Sequence, residues 1–481
     1  MEVKKLFRLA LGAFLFLNLV SCAENKQGGI ELKSEADLKG LTISCGAGSY
    51  YERKFSANPD VEVFACNSEA DAIQAVRQGL ADVYVSDEVM LTDEALKRLG
   101  MKLAMRGEEA LDVAFALRKG DSDLQRSLNE FLASAPIESI ISYWMNGGPE
   151  VPDPNKGDYS DSTALRCICA VNMEPISFVG EGNEWSGMDV DILRRFANSI
   201  GRNFTVEYQA LASAVIALQT GQADVVSGCL FVTDERKVSV DFSDNYYTCR
   251  PGYFVMDRAQ GSKVSFMQRL KLNLITEDRW KMVLDGLLET LKITILSILL
   301  GTILGVGVCA AKRSRRKWLR DAAGIYGAFI AGIPTLVLLL VMFYVVFAGA
   351  GISASLVAIV TFALCFASAA GNIFDTAVSS VPKGQMEAGL SLGFTPYKTF
   401  TGIVFPQALK KGLPLYIGEC ISLLKNTSIV GYIAIQDLTR ASDLIRSRTF
   451  DAAVPLLLVT VLYFVLAWII RKLLNLIFLR K

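Results

Sequence analysis

From about Gly286 onward the sequence holds five long apolar runs, roughly 286–310, 324–348, 352–373, 412–435 and 452–478. Each is near the ~20 residues that a helix needs to cross the hydrocarbon core, where backbone polar groups must be paired within the segment. That second half is therefore committed to spanning helices. The whole chain, 52% hydrophobic and only 20% charged, has the composition of a protein partly in lipid. The loop "KRSRRKWLRD" after the first run carries six Lys or Arg against one Asp, whereas "QDLTRASDLIRSRTFD" after the fourth balances three basic with three acidic residues. Basic residues accumulate on cytoplasmic loops. The first loop and the C-terminal "LRK" are accordingly expected inside, with residues 23–285 extracytoplasmic.

The opening "MEVKKLFRLALGAFLFLNLVSC" places Lys4, Lys5 and Arg8 before a short apolar run. That is the pattern of an export signal over 1–22. Its end, Leu19-Val20-Ser21-Cys22, resembles the lipobox of bacterial lipoproteins, which implies lipidation of Cys22; the plainer alternative is an ordinary signal with an incidental cysteine. Cys309, Cys365 and Cys420 lie in apolar runs, and Cys45, Cys66, Cys167, Cys169, Cys229 and Cys249 fall in the exported part. No cysteine spacing resembles a zinc site, and the absence of histidine removes imidazole metal sites and Ser-His-Asp triads. These cysteines read mostly as buried thiols. A net charge of zero excludes the basic character that nucleic acid would require. Neither an enzyme nor a resident metal or cofactor is expected. No G-x-x-x-x-G-K-[ST] pattern occurs, so any energy from ATP must come through a separate subunit.

Between the third and fourth runs stands "VPKGQMEAGLSLGFTPYKTFTGIVFPQALKKGLP", a polar helix-turn-helix-like segment on the expected cytoplasmic side. Through Glu387-Ala388-Gly389, Gly393 and Phe405-Pro406-Gln407 it resembles the coupling segment of ABC importer permeases. Leu424-Lys425-Asn426-Thr427-Ser428 and Ser447-Arg448-Thr449-Phe450 resemble the polar amino-acid uptake permeases in particular. The resemblance implies that Glu387, Ala388 and Gly393, in a loop over 380–412, contact a cytoplasmic ABC ATPase subunit. A short amphipathic helix ended at a glycine can sit in a groove of such a partner and pass on its motion. Gly389 stands where the pattern has alanine, and is expected to loosen the helix slightly. Five spans cannot enclose a pathway alone, so a homodimer is implied.

Residues 165–256 alternate strands and helices as βαβαβ: "LRCICAV", "MDVDILRRFANSIG", "FTVEYQA", "SAVIALQTG" and "ADVVSGCLFV". They resemble the first lobe of the extracellular amino-acid-binding proteins of family 3, through Ser186-Gly187-Met188-Asp189-Val190-Asp191, Gly221-Gln222-Ala223-Asp224-Val225, Thr233-Asp234-Glu235-Arg236 and Asp241-Phe242-Ser243. In that family a second lobe follows; here the membrane does. Stretches resembling the second lobe stand earlier, as "SEADLKGLTISCGAGSYYERKF", "VEVFACNSEADAIQAVRQGLADVYVSDEV" and "LDVAFALRKGDSDLQRSLNEFLASAPIESIISYWMNGG". The order of the lobes is thus inverted, which points to a circularly permuted domain joined through the Gly/Pro/Asp-rich, flexible polar linker 147–164. A tandem of two half-eroded receptors is the rival, and it predicts unpaired hinge edges.

The expected organisation is a signal over 1–22, lobe two with the closing helices over 23–146, the linker, lobe one over 165–260, a connector over 261–285 and a permease domain over 286–481. The fold class is an α/β two-lobed periplasmic-binding-protein-like domain followed by an all-α transmembrane domain of five helices. By the resemblance, Arg236 pairs with the carboxylate of an amino acid, Asp87 accepts its ammonium, and Gly48 and Ser49 offer an N–H and a hydroxyl. Thr233 stands beside the arginine position. Two residues depart from the pattern: Phe231, where a Ser or Thr is expected, and Glu174, in "NMEPISF", which lacks the aromatic that usually covers the side chain. The expected function is a multi-pass subunit in the bacterial plasma membrane that captures an amino acid and imports it with a separate ATPase. The alternative is a membrane-bound ligand sensor without transport.

Overall fold

A computed structural model describes residues 30–180, 184–209, 211–257, 266–348 and 351–479. The expected signal over 1–22, with Cys22, lies outside the described residues. The first segment supplies β1 (Thr42–Gly46), β2 (Glu62–Cys66), β3 (Val83–Asp87), β4 (Met101–Arg106), β5 (Leu111–Val113) and β6 (Ala116–Arg118). The second supplies β7 (Leu165–Cys169), β8 (Phe178–Val179), β9 (Trp185–Ser186), β10 (Phe204–Tyr208), β11 (Val225–Ser227), β12 (Val240–Phe242), β13 (Tyr247–Cys249) and β14 (Pro251–Met256).

Two five-stranded sheets result, in the orders β2-β1-β3-β14-β4 and β10-β7-β11-β6-β12. In each, four strands run in one direction and one inserted strand runs antiparallel to both of its neighbours. The inserted strand always comes from the other segment. β14 fills the place between β3 and β4, and β6 the place between β11 and β12. β5 and β13 pair antiparallel where the chain passes between the lobes. Thus "YTCRPGYFVM", which the sequence pattern carries straight on to the membrane, first crosses into lobe two. There Tyr253 and Phe254 are fully buried. Without β14, β3 and β4 would expose unpaired backbone groups in the middle of a sheet. Every described cysteine is a free thiol, and the six on the two lobes are all buried.

The linker is not a free tether. Arg195 donates to the carbonyls of Val151 and Pro152, Asn198 donates to Asp153, and Arg202 donates to the carbonyls of Thr163 and Ala164. The helix Ile137–Asn146 lies on the helix Met188–Ser199, with Trp144 Nε1 donating to Asp191 at 3.0 Å. The closing helices therefore cover lobe one.

In the second half, Trp280–Lys312, Ala354–Ser379 and the helix from Ala453 are long and apolar enough to cross a membrane. The helices Lys317–Gly332 and Thr335–Val346 reach that length and apolarity only as a pair, bent by 103° at the break, the geometry of a broken span or a re-entrant loop. The expected run 412–435 is divided instead: the helix Phe405–Asn426 carries Pro414 inside it and Lys410, Lys411 and Lys425 along it, and a 3-10 turn follows from Thr427. Trp280–Lys312 packs on Ala354–Ser379 through small residues; a Cβ at Gly301 would come within 2.8 Å of the Ala363 carbonyl oxygen. Close approach of this kind is how helices gain packing in lipid, where apolar burial between them gives little. Before the last span, the helix Leu438–Thr449 packs on Trp280–Lys312 and on the helix from Ala453, and it also reaches both lobes.

Candidate ligand-binding site

The cleft between the lobes holds a cavity of about 230 Å³. Of the residues expected there, Gly48, Ser49, Asp87, Phe231 and Arg236 line it; Thr233 and Glu174 do not. Asp87 ends β3, so the strand itself carries the carboxylate to the cleft edge of the lobe-two sheet. It is buried and accepts from Tyr51 Oη at 2.6 Å. Burial pushes its carboxyl up to about 7, against the opposing effect of the Tyr51 hydrogen bond. A group so balanced gains most from a cation placed beside it.

Arg236 lies in the short helix Asp234–Ser239, whose N-cap is Thr233; Thr233 Oγ1 accepts from the Arg236 amide. Thr233 therefore positions the arginine and does not face the cavity. The guanidinium donates to the Phe231 carbonyl at 3.1 Å and to the Gly48 carbonyl at 3.3 Å, so it reaches across from lobe one to lobe two. Gly48, at φ +74, donates its N–H to Glu52, and Ser49 Oγ accepts from the Glu52 amide as the cap of the helix Tyr50–Ser56. The Gly48 N–H that the resemblance assigns to a carboxylate is here turned to Glu52, whereas Ser49 Oγ only accepts there and keeps its O–H to donate. Glu174 pairs with Arg448 of the second half.

Phe231 fills the place of the expected hydroxyl by packing edge-on against Tyr50 and Tyr51 of lobe two, with centroids 5.7 and 5.9 Å away. This cross-cleft aromatic cluster escaped the sequence reading, although "SYYERKF" directly after Gly48 carries both tyrosines. Glu69 was also missed. It begins the helix Glu69–Gln78, lines the cavity and accepts from Tyr84 Oη; burial raises its carboxyl. Gly46 makes room for it, since a Cβ there would stand 2.6 Å from Glu69 Oε1. Asn172 and Ser447 also line the cavity. Ser447 belongs to the second half, and no pattern within the binding-domain stretches could have placed it there.

Behind the cavity, Asp189 is fully buried at the start of the helix Met188–Ser199. It accepts from Tyr246 Oη at 2.6 Å and from the amides of Gly228 and Cys229. Burial raises its carboxyl to about 6. It thereby fixes the loop that leads to Phe231. Among the described residues no cluster of His, Cys, Asp or Glu has the arrangement of a metal site.

In the coupling-like segment, Glu387 and Ala388 are exposed on the helix Lys383–Ser391, which a turn at Gly393 (φ +84) follows. Gly389 does not loosen this helix; it lets the helix pack. A Cβ there would stand 2.3 Å from Cγ2 of Thr399, itself fully buried, so the departure from alanine is demanded by the contact.

Residues 165–411 match the bacterial extracellular solute-binding proteins, family 3. A probable amino-acid ABC transporter permease protein of Bacillus subtilis is 32% identical over 182 residues, 38% of this chain and 80% of the relative. The L-cystine transport system permease protein of the same organism is 32% identical over 206 residues, 43% of this chain and 87% of the relative. A crystal structure of an amino acid ABC transporter with histidines is 31% identical, covers 46% of this chain and 100% of that one, and has a TM-score of 0.41. The chain belongs to the permeases of amino-acid ABC transporters and carries in the same polypeptide a solute-binding domain of family 3.

Proposed function

We propose that this chain is the receptor and permease subunit of an importer that captures an amino acid outside the plasma membrane and passes it inward with a separate ATPase. One observation carries the reading: Asp87 from lobe two and Arg236 from lobe one meet at a single cavity, which Ser447 of the membrane half also lines. A carboxylate and a guanidinium lining one small space suit an ammonium and a carboxylate on one molecule, since charge-assisted hydrogen bonds to both ends are stronger than neutral ones. The L-cystine permease among the relatives fits a solute of this zwitterionic class. Joining receptor to permease holds the captured solute at high effective concentration over the pathway.

We infer also that the binding domain is a circular permutant. The reciprocal insertion of β14 and β6 and the pairing of β5 with β13 support one interlocked domain over two eroded halves. The basic loop after the first span supports an extracytoplasmic binding domain, with Glu387 and Gly393 on the cytoplasmic side. Exposed Leu390, Leu392, Phe394 and Tyr397 beside Glu387 support an ATPase docking surface there. Lipidation of Cys22, a fifth span and a homodimer that encloses the pathway complete the proposal. The test is calorimetry on the full chain in nanodiscs with the L-amino acids and L-cystine. Arg236→Ala and Asp87→Ala are each expected to abolish the binding seen with the unaltered chain, and retained binding by both refutes the assignment.

A further inference from the structure

The helix Leu438–Thr449 stands in sequence between two membrane helices, yet its last turn lies in the cleft. Arg446 forms an ion pair with Asp71 of lobe two, Nη1 to Oδ1 at 2.8 Å. Two residues on, Arg448 pairs with Glu174 of lobe one and lies 4.1 Å from the centre of the Phe178 ring. Arg440 stacks at 4.2 Å on Tyr208 of lobe one. Phe450, just after the helix, is buried with the lobe-two core, and its carbonyl accepts from Arg77 at 3.1 Å. One turn of helix thus holds both lobes. A helix does not stretch, so any motion that parts Asp71 from Glu174 must break one of the two ion pairs.

Ser447, between the two arginines, lines the ligand cavity. Its hydroxyl donates to the Leu444 carbonyl at 2.9 Å, so toward Asn172 it accepts, and Asn172 must present its Nδ2. Asn172 Oδ1 is left buried and without a hydrogen-bond partner among the described residues, on a side chain that also lines the cavity and is only 5% exposed. A buried acceptor left over in this way calls for a donor.

We propose that the Leu438–Thr449 helix is a third wall of the ligand site. It pins the two lobes through Arg446 and Arg448 and, through Ser447, holds Asn172 Oδ1 ready for an N–H or O–H of the ligand. The membrane half then sets the closure of the cleft and contributes to affinity, instead of only receiving what the lobes deliver. The second part rests on the reading of the cavity as the amino-acid site; the pinning does not.

The test uses the full chain in nanodiscs, with spin labels on non-natural amino acids at Lys97 and Gln219, exposed positions on lobe two and lobe one. Without any ligand, Arg446→Ala with Arg448→Ala is expected to add a population at longer inter-lobe distance. The exchange of Asp71→Arg with Arg446→Asp is expected to keep the original distribution. An unchanged distribution in the double alanine variant overturns the pinning. Ser447→Ala is then titrated with the panel of L-amino acids and L-cystine. A weakening of about tenfold or more with the inter-lobe distance unaltered supports the third wall, and an unchanged affinity overturns it. If the unaltered chain binds nothing on the panel, the amino-acid reading fails, while the distance measurement still decides the pinning.

Discussion

Asp87 is expected to make solute binding depend on pH in a defined direction. Its carboxyl lies at about 7 against an ordinary 3.8, chiefly through burial. Over that interval the folded protein holds a proton that the unfolded chain has lost, so this group makes stability fall as pH rises from about 4 to about 7. The shift corresponds to at most about 4 kcal/mol. A ligand ammonium reverses the preference, because it favours the ionised carboxylate. Affinity should then rise with pH and level off above about 7. Between pH 6 and pH 8 the ionised fraction passes from about one tenth to about nine tenths, so the dissociation constant at pH 6 should be about tenfold weaker. Calorimetry at pH 6, 7 and 8 in two buffers of different ionisation enthalpy reads both the affinity and the proton released. Tyr51→Phe, which removes a hydrogen bond that lowers the pKa, should move the transition upward. Glu69→Gln, which removes a neighbouring negative charge that raises it, should move the transition downward. An affinity independent of pH, with no proton released at pH 6, would show that Asp87 does not receive the ammonium.

Asp189→Ala leaves Tyr246 Oη and the amides of Gly228 and Cys229 without their acceptor; thermal or denaturant unfolding should report a loss of about 3 kcal/mol or more. Gly389→Ala drives a methyl into Thr399 and should displace the helix Lys383–Ser391, seen as loss of the co-purifying ATPase with solute binding unchanged. Glu387→Lys should release the ATPase in the same assay without altering solute affinity; an undiminished complex would remove this helix from the interface. A fragment of residues 165–260 lacks β6 and carries β14 without its sheet, so it should aggregate where the full chain does not. A soluble, cooperatively folding fragment would favour two separate half-receptors.

What the sequence made legible was set by range. The βαβαβ order of lobe one follows from local alternation, and the strands and helices beginning at β7, Met188, β10, Leu211 and β11 fall where the pattern put them. The convergence of Asp87 and Arg236 was reachable only through the family resemblance, since nothing local links residues so far apart. The destination of β14 was not legible. "PGYFVM" is equally apolar whether it runs on toward the membrane or fills a sheet, and only the unfilled place between β3 and β4 decides. Thr233 and Ser49 are hydroxyls beside expected binding positions, and the oxygen of each accepts from an amide at a helix N-terminus that would otherwise be unpaired. Glu174 faced a different limit: its partner, Arg448, is supplied by a helix that the membrane half sends back into the cleft. A pocket shared between a soluble domain and a membrane domain cannot be read from either alone. The residues most exposed to misreading are therefore those, such as Asn172 and Ser447, whose chemistry is completed across that boundary.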